Sequence, residues 1–461
     1  MNYIFSYLII NTILILLPII VYCKEDGLFV KNYIFAETKS ITYRSIYSEV
    51  LKKDIPVFWK PPKFRELNCN KLLIGDFRYI AKERKNRKSM NETLYEFSTS
   101  CEHIKRRGYY PKEPVTEEEA KFPLAYAINV YQDYMKLEQQ FLVMYAPQNH
   151  YCYAIDKKAN PVFKEKLHSL AKCFPNIYIV KEEKELDHSG VNGNFYNYEC
   201  MKLFRNKNYK YLFLLQNDDT PLKTNLELVK ILQIYNGTID MNIGDPIARQ
   251  PITVNRKVSY KLNSLMMFKK SDKRYYDKTL GNMQIKIQKG LMQASIPKAT
   301  VDYMLKKINI VKLLENLNTK NEYSDEVLWP TIFTNPYLRV PGWQHYLCNK
   351  KTIFSRYYMT RKTIFRTKRK ECLSGFIRNG ICILGIESLS HMRSWPHFFG
   401  NKFRSSFDAG ASMCWLEHMY NKKFLFPFTG INENFYKRST LIRYQKLKET
   451  EDNHRKICDM I

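Results

Sequence analysis

The feature that most constrains the fold is a short apolar stretch that leads directly into acidic and amide residues. Tyr209–Leu215 is rich in aromatic and aliphatic side chains without helical spacing, which predicts a buried strand. Gln216–Asp219 follows it, and Thr220–Pro221 then predicts a turn. Asn225 is predicted to cap the amphipathic helix Leu226–Tyr235. Open α/β sheets place ligand sites where a strand ends in polar groups before a helix, although an acidic turn that only caps a helix has the same pattern.

The residues before this stretch alternate between predicted strands and predicted helices. Strands separated by helices of about a dozen residues indicate an α/β fold with a largely parallel sheet. Asp156 and Asp218–Asp219 then follow the carboxyl ends of two strands, at one edge of that sheet. The predicted strands are Leu124–Tyr131, Tyr151–Ile155 and Ile177–Val180, and the predicted helices are Gln132–Tyr145, Val162–Cys173 and Phe195–Arg205.

The beginning of the chain predicts entry into the secretory pathway. Tyr3–Cys23 contains no charged residue and is long enough to span a bilayer, so we interpret it as a signal anchor or a cleavable signal. Eleven cysteines fit an oxidising compartment, and Asn91–Thr93 and Asn236–Thr238 are sequons for N-glycosylation.

The net charge of +29 indicates contact with polyanions such as diphosphates, acidic glycans or a membrane surface. A basic, solvated surface without a specific partner would give the same composition. The signal segment argues against nucleic acid as a partner, because a protein in the secretory pathway is separated from nucleic acid by a membrane.

Five motifs occur in an order that is found in a known family. They lie between about Cys101 and Leu416. The matching stretches are Val115–Tyr126, Tyr145–Cys152 with Ile155–Ala159, Pro221–Asn225, Ser324–Trp329 and Asn401–Phe403. Together they resemble the core-2/I-branching β-1,6-N-acetylglucosaminyltransferases.

The resemblance implies an α/β, GT-A-type (Rossmann-like) glycosyltransferase domain behind an N-terminal membrane anchor and stem. It implies a single-pass type II protein of the Golgi membrane, anchored through residues 3–23 with its catalytic domain in the lumen. The expected donor is UDP-GlcNAc, the acceptor an O-glycan of a glycoprotein, and the transfer inverting, β-1,6-branching and independent of metal. The expected segments are an anchor at 1–23, a partly disulfide-tied stem at 24–120, a catalytic domain at 121–430 and a basic tail at 431–461.

The resemblance also assigns roles to individual residues. Glu326 matches the catalytic base, near the start of a helix, where the dipole favours a carboxylate. Arg378 and Lys402 match the two cations that stabilise the departing UDP. His188 stands where the family more often has an aromatic residue. The positions that match nucleotide contacts are Asn129, Val130, Tyr131, Asp156, Lys157, Lys158 and His188.

The same resemblance implies four disulfides and leaves three cysteines over. Cys23, Cys348 and Cys458 are then expected to be unpaired or used between chains. The implied pairs are Cys101–Cys173, Cys152–Cys200, Cys372–Cys382 and Cys69–Cys414.

The chain departs from the family at two places. The vertebrate enzymes have a single aspartate at the position of Asp219, and the additional Asp218 creates a pair of the kind that holds a divalent metal in other nucleotide-sugar transferases. Because Arg378 and Lys402 are both present, metal independence is the favoured prediction. Residues 241–280 hardly resemble the family's acceptor-binding segment, which leaves the acceptor open.

Two alternatives therefore stand beside the leading prediction. The same fold could use another donor and acceptor, as the related peptide O-xylosyltransferases do. A secreted sugar-binding protein on a decayed transferase scaffold is the second alternative, because fold does not fix function. The presence of Glu326, Arg378 and Lys402 favours an enzyme, since a decayed site would have lost at least one of them.

Overall fold

The computed structural model describes residues 55–90, 97–244, 255, 257–319, 324–346, 348, 357–425 and 430–460. The chain divides into two units, one formed by Val57–Met419 with Gly430–Ile461 and the other by Met1–Pro56 with Tyr420–Thr429. In the part of the second unit that is described, the Tyr420 hydroxyl donates to the Pro56 carbonyl over 2.9 Å.

The predicted membrane segment Tyr3–Cys23 lies outside the described residues. Within the described ranges, no helix combines the length and the apolar character that crossing a bilayer requires.

The larger unit is built on a six-stranded sheet with the order β3-β2-β1-β4-β7-β6. The first four strands along the chain that belong to this sheet are parallel to one another, and β7 is antiparallel to both β4 and β6. Its strands are β1 (Leu124–Val130), β2 (His150–Ile155), β3 (Ile177–Ile179), β4 (Tyr211–Gln216), β6 (Asp240–Ile243) and β7 (Gly290–Pro297). The predicted α/β fold with a largely parallel sheet is confirmed.

Five further strands are short and lie outside this sheet. β5, β11 and β8 form a three-stranded sheet, and β9 and β10 form an antiparallel hairpin. They are β5 (Thr220–Pro221), β8 (Arg361–Thr363), β9 (Ile377–Arg378), β10 (Ile381–Cys382) and β11 (Phe399–Asn401). Thr220–Pro221, which the sequence predicted as a turn, is therefore the edge strand β5, where a proline that donates no hydrogen bond is tolerated.

Helices connect the strands, as predicted, and continue to the end of the described chain. In order they are α1 (Cys69–Ile74), α2 (Phe77–Lys85), α3 (Cys101–Arg106), α4 (Glu117–Lys121), α5 (Tyr134–Met144), α6 (Pro161–Cys173), α7 (Gly193–Leu203), α8 (Asn225–Tyr235), α9 (Lys278–Gly281), α10 (Lys298–Lys307), α11 (Val311–Leu317), α12 (Leu328–Thr334), α13 (Leu389–Met392), α14 (Ser405–Phe424), α15 (Glu433–Lys437), α16 (Thr440–Leu447) and α17 (His454–Met460).

The cap of α8 differs from the prediction by one residue. Thr224, not Asn225, precedes the helix and accepts a hydrogen bond from the Glu227 backbone N–H, while the Glu227 carboxylate accepts one from the Thr224 backbone N–H. This reciprocal pair is a capping box, which satisfies two backbone donors at once. Asn225 instead donates its side-chain amide to Glu119 over 2.7 Å and so ties α8 to α4.

The core of the sheet is a stack of aromatic rings on the three central parallel strands. Tyr126 of β1 lies opposite Tyr151 of β2 and Phe213 of β4, and its ring centroid is 5.2 Å from each of theirs. All three side chains are fully buried, as expected for parallel strands that are covered on both faces. This packing fixes the register of the strands and therefore the position of the residues that follow them.

The four disulfides that the resemblance implied are confirmed, and a fifth was not predicted. The bonds Cys69–Cys414, Cys101–Cys173, Cys152–Cys200 and Cys372–Cys382 are all present. The expectation that Cys348 and Cys458 are unpaired or used between chains is wrong, because they bond to each other across 110 residues of sequence. α17 brings the end of the chain to Cys348, a contact that no local pattern encodes. Cys23 lies outside the described residues.

Candidate active site

Two neighbouring parallel strands, β1 and β4, end in residues that bond to one another. The Asn217 side-chain carbonyl accepts hydrogen bonds from the backbone N–H groups of Tyr131 (2.9 Å) and Gln132 (3.2 Å). The Asn129 amide donates to the Gly193 carbonyl at the start of α7, and its buried Oδ1 has no hydrogen-bond partner in the described part of the chain. The carboxyl edge of the sheet thus carries an acceptor oxygen that a ligand could use.

Asp219 joins β4 to β11 through its side chain. Its Oδ2 accepts from the Gln216 backbone N–H over 2.7 Å, and its Oδ1 accepts from the Asn401 side-chain amide over 2.9 Å. Arg361 Nη1 lies 3.6 Å from the same Oδ1. Burial raises the pKa of Asp219, and the positive charge of Arg361 opposes that rise. Both oxygens of this carboxylate are therefore already used by groups of the protein.

Asp218 is buried between two cations. Its Oδ2 lies 2.8 Å from Arg404 Nη2, and its Oδ1 lies 3.8 Å from Lys136 Nζ. Arg404 also donates to the Tyr131 hydroxyl. Burial raises the pKa of Tyr131 to about 12, with Asp218 adding to the rise and the charges of Arg404 and Arg378 opposing it. Arg378 therefore lies close enough to Tyr131 to act on it electrostatically.

Lys402 follows β11 and is mostly buried. Burial lowers the pKa of its ammonium, nearby Asp218 opposes this, and the positive charges of Arg404 and Arg361 add to it. Among the residues that the structure describes, no carboxylate oxygen lies within 4.0 Å of Lys402 Nζ. Lys402 is thus a mostly buried cation without an ion pair to the described residues, and such a group favours an anionic ligand.

Arg378 is exposed on the β9–β10 hairpin. The disulfide Cys372–Cys382 closes this hairpin, and its turn passes through Asn379 and Gly380 with positive φ angles of 49° and 74°. Asn and Gly are the residues that adopt this backbone conformation most readily. The hairpin therefore presents the guanidinium from a constrained, solvent-facing loop.

Glu326 lies at the end of a 3-10 turn, Ser324–Glu326, directly before α12. Its Oε2 is 3.3 Å from Lys289 Nζ, which stands next to the start of β7. This places the carboxylate near a helix start, as the sequence predicted, and adds an ion pair that the sequence did not predict.

Asp325, the preceding residue, anchors this 3-10 turn to the sheet edge. Its Oδ2 accepts from the Gln216 side-chain amide over 3.3 Å. It also packs against Gly190, where a Cβ atom would lie 2.0 Å from Asp325 Oδ1, so no other residue fits there without movement. Burial, together with the neighbouring charge of Glu326, raises the pKa of Asp325 to about 7.

The predicted nucleotide contacts on β2 and on the loop before α7 form a neighbouring group. Asp156 is buried, and its Oδ1 accepts from the backbone N–H groups of Lys158 (3.0 Å) and Leu186 (3.1 Å). Lys157, Lys158 and His188 are exposed.

Backbone hydrogen bonds join this group to the residues around β1 and Glu326. The Asp156 N–H donates to the Val130 carbonyl over 2.9 Å, and the Ser324 N–H donates to the Ser189 carbonyl over 2.7 Å. Asp156–Lys158 and His188 therefore lie at the β2 side of this sheet edge, and Lys402 lies near Asp218 and Asp219 after β4. Arg378 is linked to the edge by its electrostatic effect on Tyr131.

Several residues of this edge were missed by the sequence analysis. Arg404 directly follows the matched motif Asn401–Phe403, so its position was available as a signal. Arg361 lies within the basic stretch 352–370, whose composition predicts a solvated surface. The sequence therefore did not indicate that this arginine is buried. Lys289 carries no motif, and only the fold brings it to the site.

Comparison with known proteins was made by family and by individual relatives. A family model described as Core-2/I-Branching enzyme matches residues 124–393. The Bos taurus protein named beta-1,3-galactosyl-O-glycosyl-glycoprotein beta-1,6-N-acetylglucosaminyltransferase is 27% identical over 382 residues, which cover 77% of this chain and 85% of that protein. The Homo sapiens protein of that name with the suffix 3 is 25% identical over 435 residues, covering 90% and 94%. A protein of the same name from Bovine herpesvirus 4 is 26% identical over 381 residues, covering 79% and 84%.

Proposed function

The chain belongs to the Core-2/I-branching enzyme family and is a glycosyltransferase, and from this premise we propose that it transfers GlcNAc from UDP-GlcNAc to an O-glycan. Its mixed α/β fold with a parallel-dominated central sheet fits a GT-A-like domain. The proposed transfer inverts the anomeric centre and forms a β-1,6 branch. The observation that carries the proposal is a carboxylate, Glu326, on the same sheet edge as two cations without ion pairs in the described chain, Arg378 and Lys402.

In this proposal Glu326 is the general base. It takes the proton from the acceptor's hydroxyl, whose oxygen then attacks the anomeric carbon from the face opposite the diphosphate. The bonding electron pair leaves with UDP, and the configuration changes from α to β. The ion pair with Lys289 and the anchoring of Asp325 support the role, because they hold the carboxylate in one place and position is a large part of catalysis.

We further propose that Lys402 and Arg378 stabilise the charge that builds on the departing diphosphate. A cation in a dry site, already oriented, stabilises such charge more than water would. Lys402 fits this role because it is mostly buried and has no anionic partner among the described residues. Arg378 fits it because a guanidinium can bind a phosphate with two parallel hydrogen bonds.

We propose that the reaction needs no metal. Asp219 already accepts hydrogen bonds on both oxygens, and Asp218 is paired with Arg404 and lies near Lys136. A divalent cation that used these carboxylates would have to displace those partners and enter a region rich in positive charge. Hard cations such as Mg²⁺ or Mn²⁺ need several oxygen ligands, and of these four oxygens only Asp218 Oδ1 accepts no hydrogen bond in the described chain, with Lys136 Nζ 3.8 Å away.

The remaining predicted contacts are proposed to bind the nucleotide. Asn129 offers its buried, unpaired Oδ1, and Tyr131 offers a ring at the β1 edge. Asp156 is fixed by backbone donors and places the exposed Lys157 and Lys158 beside it. We propose that His188, in the loop before α7, also contacts the nucleotide.

We also propose that the protein works in the Golgi lumen, held in the membrane by residues 3–23 as a single-pass type II protein. Five disulfides in the described chain support an oxidising compartment. Microscopy of a tagged chain beside a Golgi marker, with protease protection of the C-terminal tag, tests the location and the orientation.

The function is tested with the purified protein and a panel of UDP-sugars. UDP-GlcNAc, UDP-GalNAc, UDP-galactose and UDP-xylose are each offered with a glycopeptide that carries a β-1,3-galactosyl O-glycan, and UDP release and product mass are measured. We expect turnover with UDP-GlcNAc, a β-1,6 linkage by NMR, and full activity in excess EDTA. Turnover only with UDP-xylose, or loss of activity in EDTA with recovery on adding Mn²⁺, would contradict the donor or the metal proposal.

The base is tested by Glu326→Gln. The change is nearly isosteric, so UDP binding should persist while transfer falls by about 10²- to 10⁴-fold, the usual value of general-base assistance. Lys298→Gln, on the helix after β7, is a control that should transfer normally, because this lysine pairs with Asp302 and lies over the Tyr209 ring. A Glu326→Gln variant that turns over like the unmodified protein would mean that another group is the base.

A further inference from the structure

Arg361, at the start of β8, is a buried cation whose guanidinium makes no hydrogen bond to any described residue. Its side chain is only 5% exposed, and within the described ranges its one ion pair is the 3.6 Å approach of Nη1 to Asp219 Oδ1. That distance is too long for a good hydrogen bond. Among the residues that the structure describes, the guanidinium donates to no acceptor, and its Nε atom is completely buried without a partner.

Such an arrangement is costly unless a ligand completes it. A guanidinium carries five N–H donors in a fixed planar fork, and burying donors without acceptors costs free energy. Asp219 does not satisfy them, because its nearer oxygen is 3.6 Å from Nη1 and already accepts from Asn401. The donors of Arg361 are therefore available to an acceptor that enters the site.

The neighbours of Arg361 show which part of the site it faces. Its positive charge contributes to the lowered pKa of Lys402 and opposes the raised pKa values of Asp219 and Asp325. Asp325 stands directly before the proposed base Glu326 in the sequence. Arg361 therefore lies close enough to Lys402, and to the residue before the proposed base, to act on both electrostatically.

We propose that Arg361 binds the β-phosphate of the nucleoside diphosphate and is a third phosphate-binding cation beside Arg378 and Lys402. This inference rests on the proposed function, in which the donor is a UDP-sugar. GlcNAc itself is neutral, so the diphosphate is the anionic group that the donor brings. Its terminal phosphate can accept two parallel hydrogen bonds from one guanidinium, which a single oxygen of a sugar hydroxyl cannot.

The position of Arg361 gives it a specific task. Asp219 Oδ1 lies 3.6 Å from Nη1, so a negative charge stands near the guanidinium while its N–H donors remain available to a phosphate. Arg361 should therefore distinguish a diphosphate from a monophosphate, because only the diphosphate reaches the β-phosphate position.

The experiment measures binding of UDP, UMP and uridine to the full chain by calorimetry, in the unmodified protein and in Arg361→Lys. Lysine keeps the charge beside Asp219, so the fold is retained, but it loses the two-pronged geometry. We expect UDP affinity to fall by about 10- to 100-fold, as for the loss of charge-assisted hydrogen bonds, with UMP and uridine changed less than about threefold. Arg366→Gln, an exposed arginine of the same basic stretch, is the matched control and should bind all three normally.

The outcomes separate this inference from the proposed function. If the unmodified protein binds no UDP, the proposed function fails. If it binds UDP and Arg361→Lys binds UDP equally well, the function stands and the role of Arg361 is overturned. An equal loss for UDP, UMP and uridine would mean that Arg361 only supports the structure. Steady-state kinetics of the same variant complete the test: a change confined to the KM for the glycopeptide acceptor would place Arg361 on the acceptor and would also overturn the inference.

Discussion

Two regions of the molecule supply cations to the same proposed phosphate site, and they are built in opposite ways. We call the first the buried charge cluster and the second the disulfide hairpin. The hairpin is Cys372–Cys382, and it carries one exposed guanidinium, that of Arg378. The cluster is a set of side chains between β4, β8 and β11 and the helix α5, and its members are Lys136, Asp218, Asp219, Arg361, Lys402 and Arg404.

The difference shows that a charge interaction is strong where water is excluded and weaker where water can solvate the charge. In the cluster, water is excluded and each charge depends on a protein partner or a ligand, so removing one partner leaves another charge unpaired. On the hairpin, water can solvate Arg378 and salt can screen it. Changes in the cluster should therefore have large effects on folding and catalysis, and changes in the hairpin smaller effects on binding.

The largest effect is expected from removing Asp218. Asp218→Ala leaves the buried Arg404 guanidinium with the Tyr131 hydroxyl as its hydrogen-bond acceptor among the described side chains, and loss of one partner of a buried pair typically costs about 3–5 kcal/mol of unfolding free energy. The control is Glu117→Ala, whose pair with Lys121 is exposed on α4 and should contribute less than about 1 kcal/mol. Both are measured by denaturant unfolding. Equal losses for the two variants would remove the distinction between cluster and surface.

The next largest effect is expected on kcat, when each of the two proposed phosphate-binding cations is removed in turn. Lys402→Ala should reduce kcat by about 10²- to 10³-fold, as loss of one preorganised donor does in a dry site. Arg378→Ala should reduce it by only about 10-fold, because water reaches that position and replaces part of the charge. Steady-state kinetics at saturating donor and acceptor checks both. A larger loss from Arg378→Ala would mean that the exposed cation is the one that the transition state needs.

A smaller difference in unfolding free energy is expected between two disulfides that close loops of different length. Cys152–Cys200 spans 48 residues in the core and Cys372–Cys382 spans 10. From loop-closure entropy, replacing the first pair by alanine should cost about 1.4 kcal/mol more of unfolding free energy than replacing the second. The second replacement should instead weaken UDP binding a few-fold, since Arg378 is no longer held by a closed hairpin. An unchanged UDP affinity would mean that the hairpin needs no disulfide to present its cation.

The sequence could predict those parts of the fold and the site that depend on local patterns. The strands β1, β2 and β4 are continuous apolar runs between helices, a local pattern, and their order along the chain places Asn129, Asp156 and Asp219 at one edge. The four disulfides join distant residues, and their pairing followed from resemblance to a family and not from a local pattern.

The remaining site residues depend on contacts between distant segments. Arg361 meets Asp219 only because β8 joins β11 beside β5, and strands of two or three residues have no readable period. Lys289 meets Glu326 because β7 returns antiparallel beside β4. The partner of Cys348 could not be predicted for the same reason, since it lies 110 residues away.

The smallest effect is the change of kcat with pH that ionisation of Asp325 should cause. Asp325 lies in the 3-10 turn Ser324–Glu326. Its pKa of about 7 means that it is protonated in most molecules below pH 7 and ionised in most above it. Ionisation adds a negative charge next to Glu326, which makes arrival of the acceptor's proton there more favourable, so kcat should rise a few-fold between pH 6 and pH 8. Asp325→Asn can still accept the hydrogen bond from Gln216 but cannot ionise, and its kcat should be level over this range. A rise that persists in Asp325→Asn would assign the titration to another group and leave Asp325 with only its anchoring contacts.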